Sequence, residues 1–246
     1  MRLTTDALTK RYDDFELHIP DLEIEPGTAV GLAGNNGAGK TTFLRLVLDL
    51  IRADEGTVQL DGDAVADAFD WKERTGSYLG PSFLIDFLTP DEYWHFVGQT
   101  YDLDEATVNE RLARFEDFYV DEPIGDTTKY IRDLSTGNKN KAGLVAALLP
   151  EPDLLVFDEP FASLDPRSQI QLKEILKETL EARDATMLVS SHDLGHVTDV
   201  SDRIAILEGG EIVRDEPTDP DTLEDLRTYF AEAIRPKETG PADAEA

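Results

Sequence analysis

The segment GNNGAGKT, from Gly34 to Thr41, constrains the fold of this chain more than any other feature. It matches the pattern G-x-x-x-x-G-K-[ST], in which glycines let the backbone wrap around phosphate groups with its N–H groups pointing inward. A strand-like run from Ala29 to Ala33 precedes it, and apolar residues recur at helical spacing after it. Because a strand, a phosphate-binding turn and a helix N-terminus follow one another, the segment predicts a nucleotide site in an α/β fold.

Individual positions of this loop have distinct predicted roles. Lys40 is expected to reach the β- and γ-phosphates, and the Thr41 hydroxyl is expected to ligate Mg²⁺. The alternative, a glycine-rich turn with an incidental lysine, does not explain the strand and the helix that flank it. The predicted nucleotide-binding residues of the loop are Gly34, Asn35, Asn36, Gly37, Ala38, Gly39, Lys40, Thr41 and Thr42.

An aspartate and a glutamate end the apolar run in LLVFDEP, Leu154 to Pro160. Such a run is typical of a buried parallel strand, and a carboxylate at its end lies at the sheet edge where these folds bind ligands. We therefore expect Asp158 to hold Mg²⁺, usually through water. Glu159 follows directly and points elsewhere, which makes it the candidate to polarise an attacking water. Without the phosphate loop, the pair would indicate only a solvated strand end.

The acidic surplus argues against several classes of partner. With 52 acidic and 23 basic residues the net charge is −29, which repels nucleic acid and anionic lipid, so we expect no nucleic-acid partner. Apart from the terminal PADAEA, the acids are spread along the chain, which we interpret as adaptation to the salt-rich cytoplasm of a halophilic microbe. The sequence has no cysteine, no apolar run that could span a membrane and no secretory signal near its start, which favours a cytoplasmic setting.

Hydrophobic periodicity predicts one α/β domain over residues 1–230. Short β-type runs fill residues 2–32, and apolar residues from Leu44 to Ile51 then recur at i, i+3, i+4 and i+7, as on an amphipathic helix. From Leu134 onward helical and strand-like segments alternate, beginning with a helix at 138–149, which implies a parallel sheet with helices on its faces. We expect residues 231–246 to form a disordered acidic tail.

A separate helical unit interrupts this order. The sequence TPDE, Thr89–Glu92, is a capping box with proline at the first helical position. Apolar side chains then form two stripes: Tyr93, Phe96, Val97 and Tyr101, followed by Val108, Leu112, Phe115 and Tyr119. We interpret the stripes as the packing faces of a helix pair rather than as a ligand cage, and we place a helical subdomain at about residues 89–150.

Together these motifs resemble the ATP-binding cassette (ABC) family over about residues 2–215. GNNGAGKT is similar to the family's Walker A loop, and LLVFDEP to its Walker B strand with a catalytic Glu159. The resemblance implies that Tyr12 stacks on adenine, that FASLDP is the D-loop containing Asp165, and that SSHD carries a switch histidine, His192, which contacts the γ-phosphate. It implies an α/β P-loop NTPase with an N-terminal antiparallel β-subdomain, a mostly parallel core sheet and a small helical subdomain. ATP and Mg²⁺ are the implied cofactors.

The stretch LSTGNKNK, Leu134 to Lys141, resembles the family signature, usually written LSGGQ. In this family two cassettes pair head to tail, so each ATP lies between one partner's Walker loops and the other's signature. The resemblance therefore implies that Ser135 and the backbone N–H of Gly137 contact the ATP of a partner cassette, with Lys139 and Lys141 adding positive charge. A small hydroxyl, a glycine and a helix N-terminus suit that contact with a phosphate.

One family residue has no counterpart in this sequence. Members usually carry a glutamine, sometimes a glutamate, before the helical unit, where it contacts Mg²⁺ and the attacking water. Here the region reads GSYLGPSFLIDF, and the position falls on Gly80, Pro81 or Ser82, none of which has a carboxamide. We assign no residue to the role and expect slow turnover.

The resemblance implies the ATP-hydrolysing subunit of an ABC transporter, attached at the inner face of the cell membrane by a separate permease. The cassette would act as a homodimer or with a second cassette, and the helical unit near residues 89–119 would dock the permease. The sequences FASLDP and LSTGN resemble those of exporters of the ABC-2 kind. A soluble cassette ATPase, as in iron–sulfur assembly, is the alternative. A third reading is a nucleotide-binding module without turnover, against which Lys40, Glu159 and His192 argue.

Overall fold

A computed structural model describes residues 1–233, so most of the predicted tail at 231–246 lies outside the described residues. The seven α-helices of the described part are α1 Lys40–Val47, α2 Pro90–Thr100, α3 Glu105–Leu112, α4 Thr136–Leu148, α5 Pro166–Arg183, α6 Leu194–Val200 and α7 Thr222–Ala233. Its strands are β1 Leu3–Tyr12, β2 Phe15–Ile19, β3 Glu23–Ile24, β4 Ala29–Ala33, β5 Glu55–Leu60, β6 Asp63–Ala64, β7 Thr75–Tyr78, β8 Leu154–Asp158, β9 Thr186–Ser191, β10 Arg203–Glu208 and β11 Glu211–Pro217.

These strands form one mixed sheet with the order β6-β5-β1-β2-β11-β10-β4-β9-β8-β7, and β3 pairs with β1. Strands β10, β4, β9, β8 and β7 run parallel to one another, whereas β10 pairs antiparallel with β11, and β1 pairs antiparallel with β2, β3 and β5. The predicted fold class is confirmed: an antiparallel N-terminal part joins a mostly parallel core.

The parallel core brings distant parts of the sequence to one edge. Every residue of β4 and β9 is buried, as expected for strands covered on both faces. Leu32 of β4 and Asp158 of β8 both pair with Ser190 of β9. The phosphate loop leaves the end of β4, so it emerges beside the carboxylates that end β8.

The two predicted helical stripes fare differently. The capping box at Thr89 and Glu92 is present, and the second stripe, from Val108 to Tyr119, is buried. On α2 the fully buried side chain is that of Trp94, which the first stripe does not include; its ring meets Tyr119 edge-on and its indole N–H donates to the Ala142 carbonyl at 2.9 Å. The prediction that Phe96 lies on the packing face is wrong, since its side chain is exposed.

Two helix boundaries differ from the sequence predictions. Helix α1 ends at Val47, so Leu48 is its C-terminal cap and Ile51 lies beyond it. Helix α4 begins at Thr136, two residues earlier than predicted, because the Ser135 hydroxyl accepts a hydrogen bond from the Asn138 N–H and caps it. The division into a single domain with a helical subdomain at 89–150 stays a prediction.

Candidate functional site

A cavity of about 450 Å³ opens at the edge of the sheet where β4 and β8 end. Eleven residues line it: Tyr12, Phe15, Asn35, Asn36, Gly37, Gly39, Lys40, Thr41, Thr42, Asp158 and Glu159. All of them except Phe15 are predicted site residues. Gly34 and Ala38, also predicted, lie behind this lining, where Ala38 is buried and its carbonyl accepts from the Gly210 N–H.

The phosphate loop needs glycine at its junction with α1. Gly39 has φ 111°, a conformation that L side chains rarely adopt, and a Cβ there would lie 2.8 Å from Leu17 and 2.9 Å from the Phe15 ring. The Lys40 side chain is 6% exposed, and its ammonium donates to the Gly34 carbonyl at 2.6 Å. Its Nζ also lies 3.7 Å from Oε1 of Glu159, so lysine and glutamate share the floor of the cavity.

The two predicted metal-binding side chains are in direct contact. The Thr41 hydroxyl donates to Oδ2 of Asp158 at 2.6 Å. The other oxygen, Oδ1, accepts from the Ser190 hydroxyl, also at 2.6 Å, and Ser190 Oγ in turn accepts from the Glu159 N–H at 3.1 Å. Ser190 therefore fixes both carboxylate-bearing residues, and it is a site residue that the sequence analysis missed.

These oxygens fit a hard cation that also takes phosphate ligands. No group of three or more His, Cys, Asp or Glu within residues 1–233 is placed to hold a metal. Mg²⁺ is usually bound by one or two protein oxygens together with substrate phosphates and water. Thr41 and Asp158 supply that donor set beside the phosphate loop, so the residues present fit Mg²⁺.

Glu159, which lines the cavity, pairs with His192, which is exposed and is not among the lining residues. Oε2 of Glu159 lies 2.8 Å from Nδ1 of His192 and 3.3 Å from the Ser191 hydroxyl, which donates to it. The Glu159 backbone has φ 50°, a strained conformation for a residue other than glycine. Its N–H donates to the carbonyl and the hydroxyl of Ser190, and these contacts help to hold the strained conformation and direct the carboxylate toward Lys40.

Tyr12 stands at the outer rim of the cavity. Its side chain is about half exposed. The Lys10 ammonium lies over the Tyr12 ring, 5.7 Å from the ring centroid, and the centroids of the Tyr12 and Phe15 rings are 6.5 Å apart. An exposed aromatic face is what stacking on a nucleobase requires. Phe15 was missed in the sequence because its strand position indicates only packing.

The signature and D-loop residues, Ser135, Gly137 and Asp165, are not among the described residues that line this cavity. Ser135 is exposed at the N-terminus of α4. Gly137 packs so closely on the D-loop that a Cβ would lie 2.8 Å from the Ser163 carbonyl oxygen. The three residues therefore form a second group outside the cavity, in which Ser135 and Asp165 are exposed and Gly137 is partly buried.

Charge in this second group is directed partly inward. The Asp165 carboxylate caps α5 by accepting hydrogen bonds from the backbone N–H groups of Arg167 and Ser168. It also accepts a hydrogen bond from the Ser168 hydroxyl, which lowers the pKa of Asp165. The Lys141 side chain is buried, with its ammonium 3.8 Å from Asp165, and burial lowers its pKa. Lys139 donates to the Arg132 carbonyl. The expectation that Lys141 presents its charge to a partner is therefore wrong.

Comparison with known proteins shows what kind of site this is. The ABC transporter family matches residues 17–162 of the chain. The chain belongs to the ABC transporter family. It is therefore an ATP-binding cassette with ATPase activity. It is 33% identical over 195 residues to the ABC transporter ATP-binding protein NatA of Bacillus subtilis, which covers 78% of each chain.

Two further likenesses extend over most of the cassette. It is 30% identical to the daunorubicin resistance ATP-binding protein DrrA3 of Streptomyces coeruleorubidus, over 88% of this chain and 68% of the relative. The dimeric structure of a bacterial ABC transporter cassette superposes with a TM-score of 0.77 at 22% identity, covering 88% of this chain and 99% of that one. Relatives differ in length, and the chain spans only 54% of one curated ABC transporter ATP-binding protein.

Proposed function

We propose that this cassette energises a membrane transporter by binding and hydrolysing MgATP in a head-to-tail pair. The observation that carries the proposal is the separation of two groups of residues. The phosphate loop and the carboxylates line one cavity, while Ser135, which is exposed, and Gly137, which is partly exposed, lie outside it at the start of α4. A head-to-tail pair would place the second group of one copy over the cavity of the other, as the resemblance implies. The cassette solved as a dimer lends support.

Within each cavity this chain's own groups would bind and orient ATP. Tyr12 stacks on the base, the N–H groups of residues 34–39 donate to the phosphates, and Lys40 exchanges its bond to the Gly34 carbonyl for the β- and γ-phosphate oxygens. Thr41 and Asp158 would hold Mg²⁺, which when bound supplies positive charge to the phosphate oxygens. The N-terminus of α1 adds partial positive charge at the same point.

Hydrolysis would then rest on Glu159 and His192. The Glu159 carboxylate accepts a proton from water as the water oxygen bonds to the γ-phosphorus and the bond to the bridging oxygen of ADP breaks. His192 orients that carboxylate through Nδ1 and contacts the γ-phosphate. Ser135 and the Gly137 N–H of the paired copy stabilise the charge that develops on the γ-phosphoryl oxygens.

An apolar surface of the described chain suits a membrane partner. Phe87 is 62% exposed, and Phe83 and Tyr130 are also exposed. The N–H groups of Ile131 and Arg132 donate hydrogen bonds to the carbonyls of Leu88 and Asp86, so the segment that contains Tyr130 lies against the segment that contains Phe87. Phe96, on the neighbouring helix α2, is exposed as well. Exposed aromatic residues in a group are typical of partner-binding surfaces.

We therefore propose that this surface docks a separate permease at the inner face of the membrane. Within residues 1–233, no helix is both long and apolar enough to cross a bilayer. The likeness to a drug-resistance ATP-binding protein supports export as the direction. Co-purification with an integral-membrane protein would separate this proposal from a soluble cassette ATPase.

Light scattering of the Glu159→Gln variant at high KCl, with and without MgATP, tests the pairing. The variant keeps the ATP-binding groups but lacks the carboxylate base, so a dimer that forms only with MgATP should accumulate. A bulky substitution, Ser135→Phe, should abolish the dimer. The matched control is Asp104→Phe, which removes a similar helix cap, bonded to the Thr107 N–H at 2.8 Å, outside the signature. A protein that stays monomeric at saturating MgATP would contradict the proposal.

The same variant tests catalysis directly. Phosphate release should fall to background in Glu159→Gln, while a fluorescent ATP analogue binds as it does to the parent. Phosphate release that is absent from the parent chain as well would favour a nucleotide-binding module without turnover.

A further inference from the structure

One buried amide connects three segments around the site. Asn140 lies on α4 and is 3% exposed. Its Nδ2 donates to the Ala162 carbonyl at 2.6 Å, and its Oδ1 accepts from the Tyr78 hydroxyl, also at 2.6 Å. A carbonyl oxygen can only accept, so the amide nitrogen must face Ala162 and the amide oxygen must face Tyr78. The orientation of the side chain is therefore fixed by its partners.

Tyr78 connects this amide to the edge of the sheet. It is the last residue of β7, and its ring lies so close to α4 that a Cβ on Gly143 would be 2.6 Å from Cε2. Gly143 follows Asn140 by three residues, so ring and hydroxyl contact the same face of the helix. Burial raises the pKa of Tyr78 well above its ordinary value, which keeps the hydroxyl a donor. The turn that follows Tyr78 contains Gly80–Ser82, where the family's carboxamide is missing.

Ala162 connects the amide to the D-loop. It lies between Glu159 and Ser163, and its own N–H donates to the Glu159 carbonyl at 3.1 Å. Ser163 has φ 60°, and its carbonyl is the group that Gly137 approaches. A segment held in such a conformation depends on the contacts around it. The Asn140 bond is one of these contacts, and it lies close to both the catalytic carboxylate and the signature glycine.

We propose that Asn140 is a positioning residue that couples the turn after β7, the signature helix α4 and the D-loop into one unit. Through its hydrogen bond to Tyr78, Asn140 connects the D-loop to the turn at Gly80–Ser82. At this turn other family members usually carry a glutamine or glutamate, and this chain does not. Asn140 does not line the cavity, and it acts through the placement of residues 159–164. The inference rests on the proposed hydrolysis in a paired cassette.

Three variants test the connection. Tyr78→Phe removes the hydroxyl and leaves the ring against Gly143. Asn140→Asp keeps an acceptor for Tyr78 but replaces the donor to Ala162 with an oxygen. The matched control is Tyr101→Phe, because the Tyr101 hydroxyl also donates at 2.6 Å to the same strand, at the Thr75 carbonyl on the far end from the site. Tyr101 is largely buried, and burial raises its pKa as it does that of Tyr78.

The first measurement is hydrolysis as a function of ATP concentration. We expect Tyr78→Phe and Asn140→Asp each to lower kcat by about tenfold with little change in KM, because the loss lies in the placement of catalytic groups rather than in ATP binding. Tyr101→Phe should keep the parent kcat. If all three variants have the same kcat, the proposal is overturned.

The second measurement needs neither ATP nor a partner. In the nucleotide-free chain, amide hydrogen exchange at residues 161–165 should be faster in Tyr78→Phe and Asn140→Asp than in the parent, and unchanged in Tyr101→Phe. Unchanged exchange in all three variants would overturn the coupling whatever the chain does with ATP. If exchange is faster in Tyr78→Phe and Asn140→Asp but the parent chain does not hydrolyse ATP, the coupling is upheld and the proposed function is contradicted.

Discussion

Oε2 of Glu159 lies 2.8 Å from Nδ1 of His192, so the proposed base and the proposed switch histidine are joined by a single hydrogen bond. An ionised carboxylate can only accept, which places a proton on Nδ1 of the imidazole. The same carboxylate also approaches Lys40 through Oε1 at 3.7 Å. Removing His192 therefore leaves the Glu159 carboxylate with Lys40 and the Ser191 hydroxyl as its partners.

The first prediction concerns this bond. We expect His192→Ala to lower kcat by about 10²–10⁴-fold, the range typical of a lost proton-transfer or orienting group, with ATP affinity nearly unchanged. Single-turnover phosphate release and binding of a fluorescent ATP analogue measure the two quantities. His95→Ala is the control, since His95 lies on α2 and bonds to the Asp91 carbonyl instead. Equal rates in the two variants would contradict a catalytic role for His192.

The second prediction concerns Ser190, which bonds to both carboxylate-bearing residues. Ser190→Ala leaves Oδ1 of Asp158 without its hydroxyl partner and leaves the Glu159 N–H with only the backbone carbonyl of residue 190, so the free energy of unfolding should fall by about 1–3 kcal/mol. The Mg²⁺ concentration for half-maximal hydrolysis should rise, because Asp158 loses its orientation. Urea unfolding and a MgCl₂ titration measure these effects.

Ser201→Ala is the matched control for Ser190. The Ser201 hydroxyl is buried against Gly31 and has no hydrogen-bond partner in the part of the chain that the structure describes. Its removal should leave stability unchanged or slightly higher. The role given to Ser190 would be wrong if its variant unfolded at the same urea concentration as Ser201→Ala.

Some residues of the site could be predicted from the sequence, and others, such as Ser190, could not. The phosphate loop and the strand-end carboxylates follow fixed spacings, so their cavity could be predicted residue by residue. Ser190 could not, because its role depends on the register that pairs it with Asp158 across two parallel strands. Phe15 and Asn140 were missed for the same reason: each becomes informative only when a distant segment is placed against it. Phe96 was misplaced because its neighbour Trp94 fills the packing face.

The third prediction concerns pH and His196. Its ring stacks on Phe161 at 4.6 Å, its Nδ1 has no partner within the described residues, and burial lowers its pKa below the ordinary 6.5. Asp193, Lys173, Asp199 and Glu159 surround it. Because the unfolded chain takes up this proton at higher pH than the folded chain, the stability from a neutral His196 is complete above about pH 6.5 and is lost as the pH falls through the folded pKa.

Urea unfolding between about pH 7 and pH 5 tests this, in a window where most carboxylates of ordinary pKa remain ionised. The parent chain should lose more stability over that interval than His196→Gln does. A His95→Gln variant serves as the control and should follow the parent. If the stability of the parent and of His196→Gln changes with pH at the same slope, the partly buried His196 is not the origin of the pH dependence.

The fourth prediction concerns salt, and it follows from the net charge of −29. Raising KCl from about 0.1 M to about 1 M shortens the screening length from roughly 10 Å to roughly 3 Å, which weakens the repulsion between acidic side chains in the folded chain. The free energy of unfolding should therefore rise with KCl. The exposed acids Glu174, Glu178 and Glu181 lie on one helix, α5, so replacing all three with glutamine should stabilise the protein at low salt and reduce its dependence on KCl. If the triple variant depends on KCl as strongly as the parent does, repulsion among these acids does not limit stability.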